Sequence, residues 1–176
     1  MLAAGAFERP LVFAHNDIPG VMQASSVSTY VNRYGVAPGN DLLLFTTNDN
    51  AYQTAIDWHN AGRTVVAVVD SRLNPTGERV AAVKALGIQV MAGHGVIEAQ
   101  GGKRVKRALV AQLNAEGTQV IGPVTKIACD LIASSGGWSP AVHLSSHTGA
   151  KPQWDASIVG FRPGQSQQQE RSVGAC

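Results

Sequence analysis

The sequence predicts an α/β fold, in which a parallel sheet carries helices on one side and a β-meander on the other. Two short apolar runs without polar interruption, Leu42–Phe45 and Val65–Val69, are typical of parallel strands buried on both faces. Stretches with helical periodicity surround them, and glycines end these stretches. After residue 93 the period changes to that of strands joined by glycine-containing turns.

The first helix is predicted in residues 20–35, where one face collects Val21, Ala24, Val27, Val31 and Tyr34 before Gly35 ends the helix. After the strand Leu42–Phe45, Asn48 or Asp49 can cap a second helix. One face of that helix carries Tyr52, Ala55, Ile56 and His59, and Gly62 ends it. The strand Val65–Val69 follows.

A third helix is predicted over Glu78–Leu86, and a third central strand over Gln89–Met91. The strands of the meander are then predicted in three segments: GVIEAQ, KRVKRALVAQL and TQVIGPVTKIACDLIAS. The meander closes with a strand from Cys129 to Ala133. The chain from GGWSP onward is rich in loops.

Composition excludes several classes of protein. The 176 residues are 44% hydrophobic and 15% charged, with a formal net charge of +2, which argues against disorder and against a nucleic-acid surface. Two cysteines, Cys129 and Cys176, form no CxxC motif and indicate a reduced compartment. No signal peptide and no apolar run of ~20 residues is visible, so we expect a cytoplasmic protein.

The segment LLLFTTNDNAY and the later TVVAVVD have the order of a Rossmann βαβ unit: strand, turn, helix, strand and terminal acid. Aligning the turn with GxGxxG places Thr46, Asn48 and Ala51 at the three glycine positions. Asp70 follows Ala51 by 19 residues, where the ribose-binding acid of such units lies.

The phosphate cradle is the missing part. A side chain at Asn48 occupies space that a pyrophosphate needs, and the carboxylate of Asp49 opposes a phosphate. We therefore interpret the unit as one retained for packing, with Asn48 and Asp70 as the weaker candidates for cofactor contact. The scattered histidines predict no metal site, and no catalytic residue is predicted.

Several phrases resemble one known family in their order along the chain: LAAGAFERPLVF, NDIPGVM, YGVAPGNDLLLFTTNDNAY, ACDLIASSGGWSPAVHL, FRPGQS and RSVGAC. This family is the α subunit of heterotetrameric sarcosine oxidase, a two-dinucleotide-domain oxidoreductase of the glutathione-reductase type. The resemblance covers essentially the whole chain.

The resemblance implies an inserted, Rossmann-like dinucleotide-type domain from the middle of a larger subunit. It divides the chain into a linking strand and helix (1–38), a βαβ domain with the meander (39–140), and a return segment (141–176) to a first domain outside this sequence. It implies NAD on that first domain, contacted here only around Ala4, Gly5, Gly174 and Ala175. The segments around Gly5 and Gly174 should then lie side by side.

By the same resemblance, flavins are held by partner subunits, where oxidative demethylation of sarcosine takes place, and the isolated chain is inactive. Ala3-Ala4 replaces the usual Ala-Thr, and VGAC lacks the acid of flavin-binding relatives. Two alternatives remain open. One is a free-standing, non-catalytic domain that binds a nucleotide or small ligand near Asp70, and the other is part of a related amine or opine dehydrogenase subunit.

Overall fold

The protein is described by a computed structural model that covers residues 1–175, and Cys176 lies outside the described residues. The chain forms two units, which are described separately. Residues Pro10–Gly137 form the larger unit, and Met1–Arg9 joins the residues from Trp138 onward in the smaller one.

A five-stranded parallel sheet is the centre of the larger unit. Its order is β2-β9-β3-β4-β5, with the strands Val21–Gln23 (β2), Leu131–Ser135 (β9), Asp41–Thr46 (β3), Thr64–Asp70 (β4) and Val90–Ala92 (β5). The prediction that β3 and β4 are parallel neighbours is confirmed, since Leu44 pairs with Val68 and Phe45 with Val69. The third predicted central strand is β5, beside β4.

Three helices cover one face of this sheet: Ala24–Tyr34 (α1), Tyr52–Asn60 (α2) and Glu78–Ala85 (α3). Their buried side chains form one cluster with alternate residues of the sheet, such as Leu42 and Leu44. Gly35 ends α1 in the left-handed conformation, with φ at 63°, as predicted.

A three-stranded antiparallel sheet covers the opposite face: His94–Gly101 (β6), Val105–Gln112 (β7) and Thr125–Ala128 (β8). The intervening residues of the parallel strands, Leu43 and Phe45 among them, pack with Val110 and Ala108 in a second cluster. The predicted fold class, a parallel sheet with helices and a β-meander, is confirmed.

Three local predictions were wrong. Val21 lies in strand β2, paired with Ile132, and not on the face of the first helix, because a parallel neighbour distant in sequence captures it. The strand predicted from Cys129 to Ala133 as the end of the meander begins at Leu131 and belongs to the parallel sheet, between β2 and β3. In α2 the predicted Tyr52 is buried together with Trp58, whereas His59 is exposed.

The smaller unit contains two antiparallel pairs. Strand Ala6–Glu8 (β1) pairs with Trp138–Pro140 (β10), and Gln153–Asp155 (β11) pairs with Gly160–Arg162 (β12). A single helical turn, His143–Ser146 (α4), follows β10. The division differs from the predicted boundaries at 38 and 140, because α1 packs into the core of the larger unit and β10 pairs with β1.

Asp130 anchors the amino-terminal end of β3. Burial alone would raise the pKa of this carboxyl, but hydrogen bonds from the backbone N–H groups of Asn40 (2.8 Å) and Asp41 (2.9 Å) hold it below its ordinary value. These bonds stabilise the fold at pH values above the ordinary pKa, and this contribution is lost as the pH falls through the lowered pKa. Gly39 is buried against the same carboxylate.

We predict that Gly39→Ala destabilises the chain, because a Cβ at this position would lie 2.7 Å from Asp130 Oδ1 and 2.9 Å from Leu131 Cβ. The expected loss is about 1–3 kcal/mol of unfolding free energy, measured by urea denaturation. Gly102→Ala is the matched control, since its Cβ would meet nothing within 4 Å. Equal stability of the two variants would contradict the role assigned to this contact.

Candidate functional site

The turn after β3 is closed by its own side chains. Thr46 Oγ1 accepts a hydrogen bond from the N–H of Asn48 (3.0 Å), and Asn48 Oδ1 accepts one from the N–H of Ala51 (3.2 Å). Asn48 Nδ2 donates to the carbonyl oxygen (3.2 Å) and the hydroxyl (3.0 Å) of Ser135. In a dinucleotide-binding turn such backbone N–H groups face the pyrophosphate. Here side chains already accept from two of them.

Asp70 ends β4 and is fully buried. Its Oδ1 accepts hydrogen bonds from the backbone N–H (2.9 Å) and Nε (3.1 Å) of Arg72, and its Oδ2 accepts from Arg72 Nη2 (2.7 Å) and the Tyr52 hydroxyl (2.8 Å). A buried carboxylate needs such compensation, because removing the charge from water is costly. Both oxygens are thus engaged by the chain itself.

Arg72 connects this carboxylate to the turn after β3. Its Nη2 also lies 2.8 Å from Oδ1 of Asp49, so one guanidinium bridges two acids. The second oxygen of Asp49 faces Gly77, the residue before α3, where an added Cβ would lie 2.9 Å from it. Asp49 and Arg72 therefore join the turn after β3 to the loop after β4.

The electrostatics follow from burial and pairing. Burial raises the pKa of the Tyr52 phenol, and the hydrogen bond to Asp70 raises it further, so this hydroxyl stays a donor. The hydrogen bond to Asp70 raises the pKa of Arg72, which keeps its full charge. The Tyr52 hydroxyl and the Arg72 guanidinium therefore remain hydrogen-bond donors to the Asp70 carboxylate.

This geometry does not fit a bound dinucleotide at the predicted turn. Asp70 lies at the position of the ribose-binding acid, but its oxygens are occupied, and Asp49 places negative charge where a phosphate would enter. Sequence reasoning missed Arg72, Tyr52 and Ser135 as the partners. For Arg72, the sequence did contain a signal, because this arginine lies two residues after Asp70, the acid that ends β4.

The predicted residues of the smaller unit lie in two neighbouring segments. Leu2 forms a parallel bridge with Ser172, with Leu2 N donating to the carbonyl of Arg171 (2.8 Å) and Val173 N donating to the carbonyl of Leu2 (2.9 Å). This pairing agrees with the prediction that the segments around Gly5 and Gly174 lie side by side. Gly5 itself accepts a hydrogen bond from the N–H of Ala141 (2.9 Å).

These segments leave room for a ligand to approach the backbone. Gly5 and Gly174 have positive φ values of 73° and 82°, and a Cβ at either would meet no atom within 4 Å. Ala4 and Ala175 are exposed. Small residues in open surroundings fit close backbone approach to a cofactor.

Comparison with known proteins gives a consistent result. No protein-family profile matches the chain. The chain is 40% identical over 176 residues to the sarcosine oxidase α subunit of Rhizobium meliloti (strain 1021), and 37% identical over 177 residues to that of Corynebacterium sp. (strain P-1). The chain is homologous to part of the sarcosine oxidase α subunit.

Each of these matches covers 99% of the chain but only 16% and 18%, respectively, of the α subunits. The fold also resembles that of a thioredoxin reductase from T. acidophilum, with a TM-score of 0.66 at 14% identity. That match covers 98% of this chain and 55% of the reductase. The predicted Rossmann-like α/β fold is thereby confirmed.

No helix within residues 1–175 combines the length and the apolar composition needed to cross a membrane. Within the same residues, no group of three or more His, Cys, Asp or Glu side chains is placed to hold a metal ion.

We predict that Arg72→Ala strongly destabilises the chain, because it leaves the buried Asp70 carboxylate without its counter-ion. The expected loss is about 3 kcal/mol of unfolding free energy, measured by urea denaturation at neutral pH. Arg79→Ala is the matched control. Arg79 is exposed and donates to Asn50 (3.1 Å) and Gln53 (3.4 Å), so its loss should cost under about 1 kcal/mol. Similar stabilities for both variants would contradict the role given to Arg72.

Proposed function

We propose that the chain supplies part of an oxidoreductase subunit of the sarcosine oxidase α type. Its larger unit serves as a structural α/β domain, and its smaller unit contributes the edge of an NAD site. The observation that carries this proposal is the similarity to the α subunits along 99% of the chain. The complex would carry out oxidative demethylation of sarcosine at a flavin bound by a partner subunit.

The pairing of the chain's two ends supports the position of the NAD site. Leu2 pairs with Ser172, and the exposed Ala4 and Gly174 follow these residues in each segment. Gly5 and Ala175 complete the set of small residues that would approach the cofactor. The nicotinamide cofactor, when bound, supplies hydride chemistry, and these residues would give it backbone contacts and space.

The larger unit supports a structural role. Asn48 and Asp70 are engaged by Ser135, Tyr52 and Arg72. A nucleotide at this position would have to displace a buried ion pair, which disfavours the alternative of a free-standing nucleotide-binding domain. We therefore expect the isolated chain to bind NAD weakly and to lack sarcosine oxidase activity.

The proposal predicts the behaviour of a chimera in which this chain replaces the matching residues of the Rhizobium meliloti α subunit, expressed with its partner subunits. The purified chimera should contain NAD, measured after release by denaturation, and should oxidise sarcosine. Gly174→Val should lower NAD occupancy by about tenfold or more, because a side chain at a positive φ both strains the backbone and fills the approach to the cofactor.

Gly117→Val is the matched control, since Gly117 also has a positive φ (68°) and open surroundings, but lies in the larger unit. It should leave NAD occupancy unchanged. A chimera that folds and contains no NAD, or a Gly174→Val variant with full occupancy, would contradict the proposed site.

A further inference from the structure

No large apolar side chain is buried among the described residues of the smaller unit. The buried residues there are all small: Ala141, Ser145, Ala150 and Gly160. Roughly 50 residues rarely fold stably without a well-filled core or another staple. Most of its large apolar side chains are instead exposed, namely Met1, Phe7, Leu144, Trp154, Ile158, Val159, Phe161 and Val173.

The hairpin of β11 and β12 carries two of these exposed side chains in contact with each other. Trp154 and Phe161 are directly opposite each other in the strand register, with ring centroids 5.2 Å apart in an edge-to-face arrangement. They are 57% and 51% exposed. We call this pair the hairpin face.

The hairpin face is held in place within its unit. Arg9, which follows β1, donates hydrogen bonds to the carbonyl oxygens of Val159 (2.6 Å) and Ile158 (3.1 Å) at the tip of the hairpin. These bonds connect the hairpin tip to the residue after β1. Aromatic side chains are enriched where proteins contact other polypeptides.

The relatives indicate what covers the face. The chain matches only 16 to 18% of the length of the α subunits, so most of such a subunit lies outside this sequence. Both apolar clusters of buried residues lie in the larger unit, and none lies in the described residues of the smaller unit. In the relatives, the remainder of the same subunit is available to supply apolar side chains to the smaller unit.

We propose that the hairpin face is a docking surface for an apolar part of the remaining α-subunit polypeptide, which completes the core of the smaller unit. This inference rests on the proposed function and adds the surface through which the chain joins its subunit. A cross-strand aromatic pair also stabilises its own hairpin. That role by itself does not predict that a second polypeptide covers the two rings.

The test measures binding of the full 176-residue chain to the Rhizobium meliloti α subunit from which the segment matching this chain has been deleted. The unaltered chain should bind, and the double variant Trp154→Ser/Phe161→Ser should bind at least about tenfold more weakly. The matched control is Tyr30→Ser/Tyr34→Ser, an exposed aromatic pair of α1 with centroids 6.0 Å apart, which should bind within about twofold of the unaltered chain.

The outcomes separate the two proposals. If the unaltered chain does not bind, both the proposed function and the docking surface are overturned. Binding that the hairpin variant retains in full, or that the control variant loses equally, overturns the docking surface alone. A dimer of the isolated chain that the hairpin variant dissociates would assign the face to a second copy and also overturn it.

A second measurement avoids substitutions and any effect that they have on folding. Hydroxyl-radical oxidation of Trp154 and Phe161, read by mass spectrometry, should fall several-fold when the deleted α subunit is added to the unaltered chain. Oxidation of Tyr30 and Tyr34 should not change. Equal oxidation of the hairpin face in the free and mixed samples would overturn the proposal.

Discussion

The buried carboxylate of Asp70 is the constraint around which the carboxyl edge of the parallel sheet is organised. A charge without solvent needs partners from the protein, and Arg72 and Tyr52 supply them. Because Arg72 also pairs with Asp49, the same charge fixes the turn after β3 against the loop after β4. Tyr52, in the first turn of α2, ties that helix to the end of β4. One ionised group therefore sets the positions of two loops and a helix.

This constraint explains how the turn of the βαβ unit is stabilised by its own side chains. In a dinucleotide-binding unit, glycines leave the backbone N–H groups free, and the ligand satisfies them. Here Thr46 and Asn48 satisfy two of those groups, and Arg72 neutralises the acid. The side chains take over the role of the ligand in stabilising the turn. The smaller unit differs, since a Cβ added at Gly5 or Gly174 would meet no atom within 4 Å.

The predictable parts of the fold are those in which consecutive residues alone indicate that the element is buried. Strands β3 and β4 are buried on both faces, so their apolar runs carry no polar alternation and could be recognised. Strand β2 could not, because three residues show no period and its partner β9 is more than a hundred residues away. The same limit applied at the site. Asn48 and Asp70 were visible from motif spacing, and Arg72 lies only two residues after Asp70. The bonds to Ser135 and Tyr52 could not be predicted, because they depend on how β9 and α2 pack.

The central claim is that the turn after β3 is filled by its own side chains and binds no dinucleotide. Amide NMR of the ¹⁵N-labelled chain during titration with NAD tests it residue by residue. The account predicts slow hydrogen exchange at the N–H groups of Asn48, Ala51 and Arg72, and no shift of their signals as NAD is raised to millimolar concentration. Saturable shifts at these three amides would contradict it, because a ligand would then reach the groups that the side chains are said to occupy.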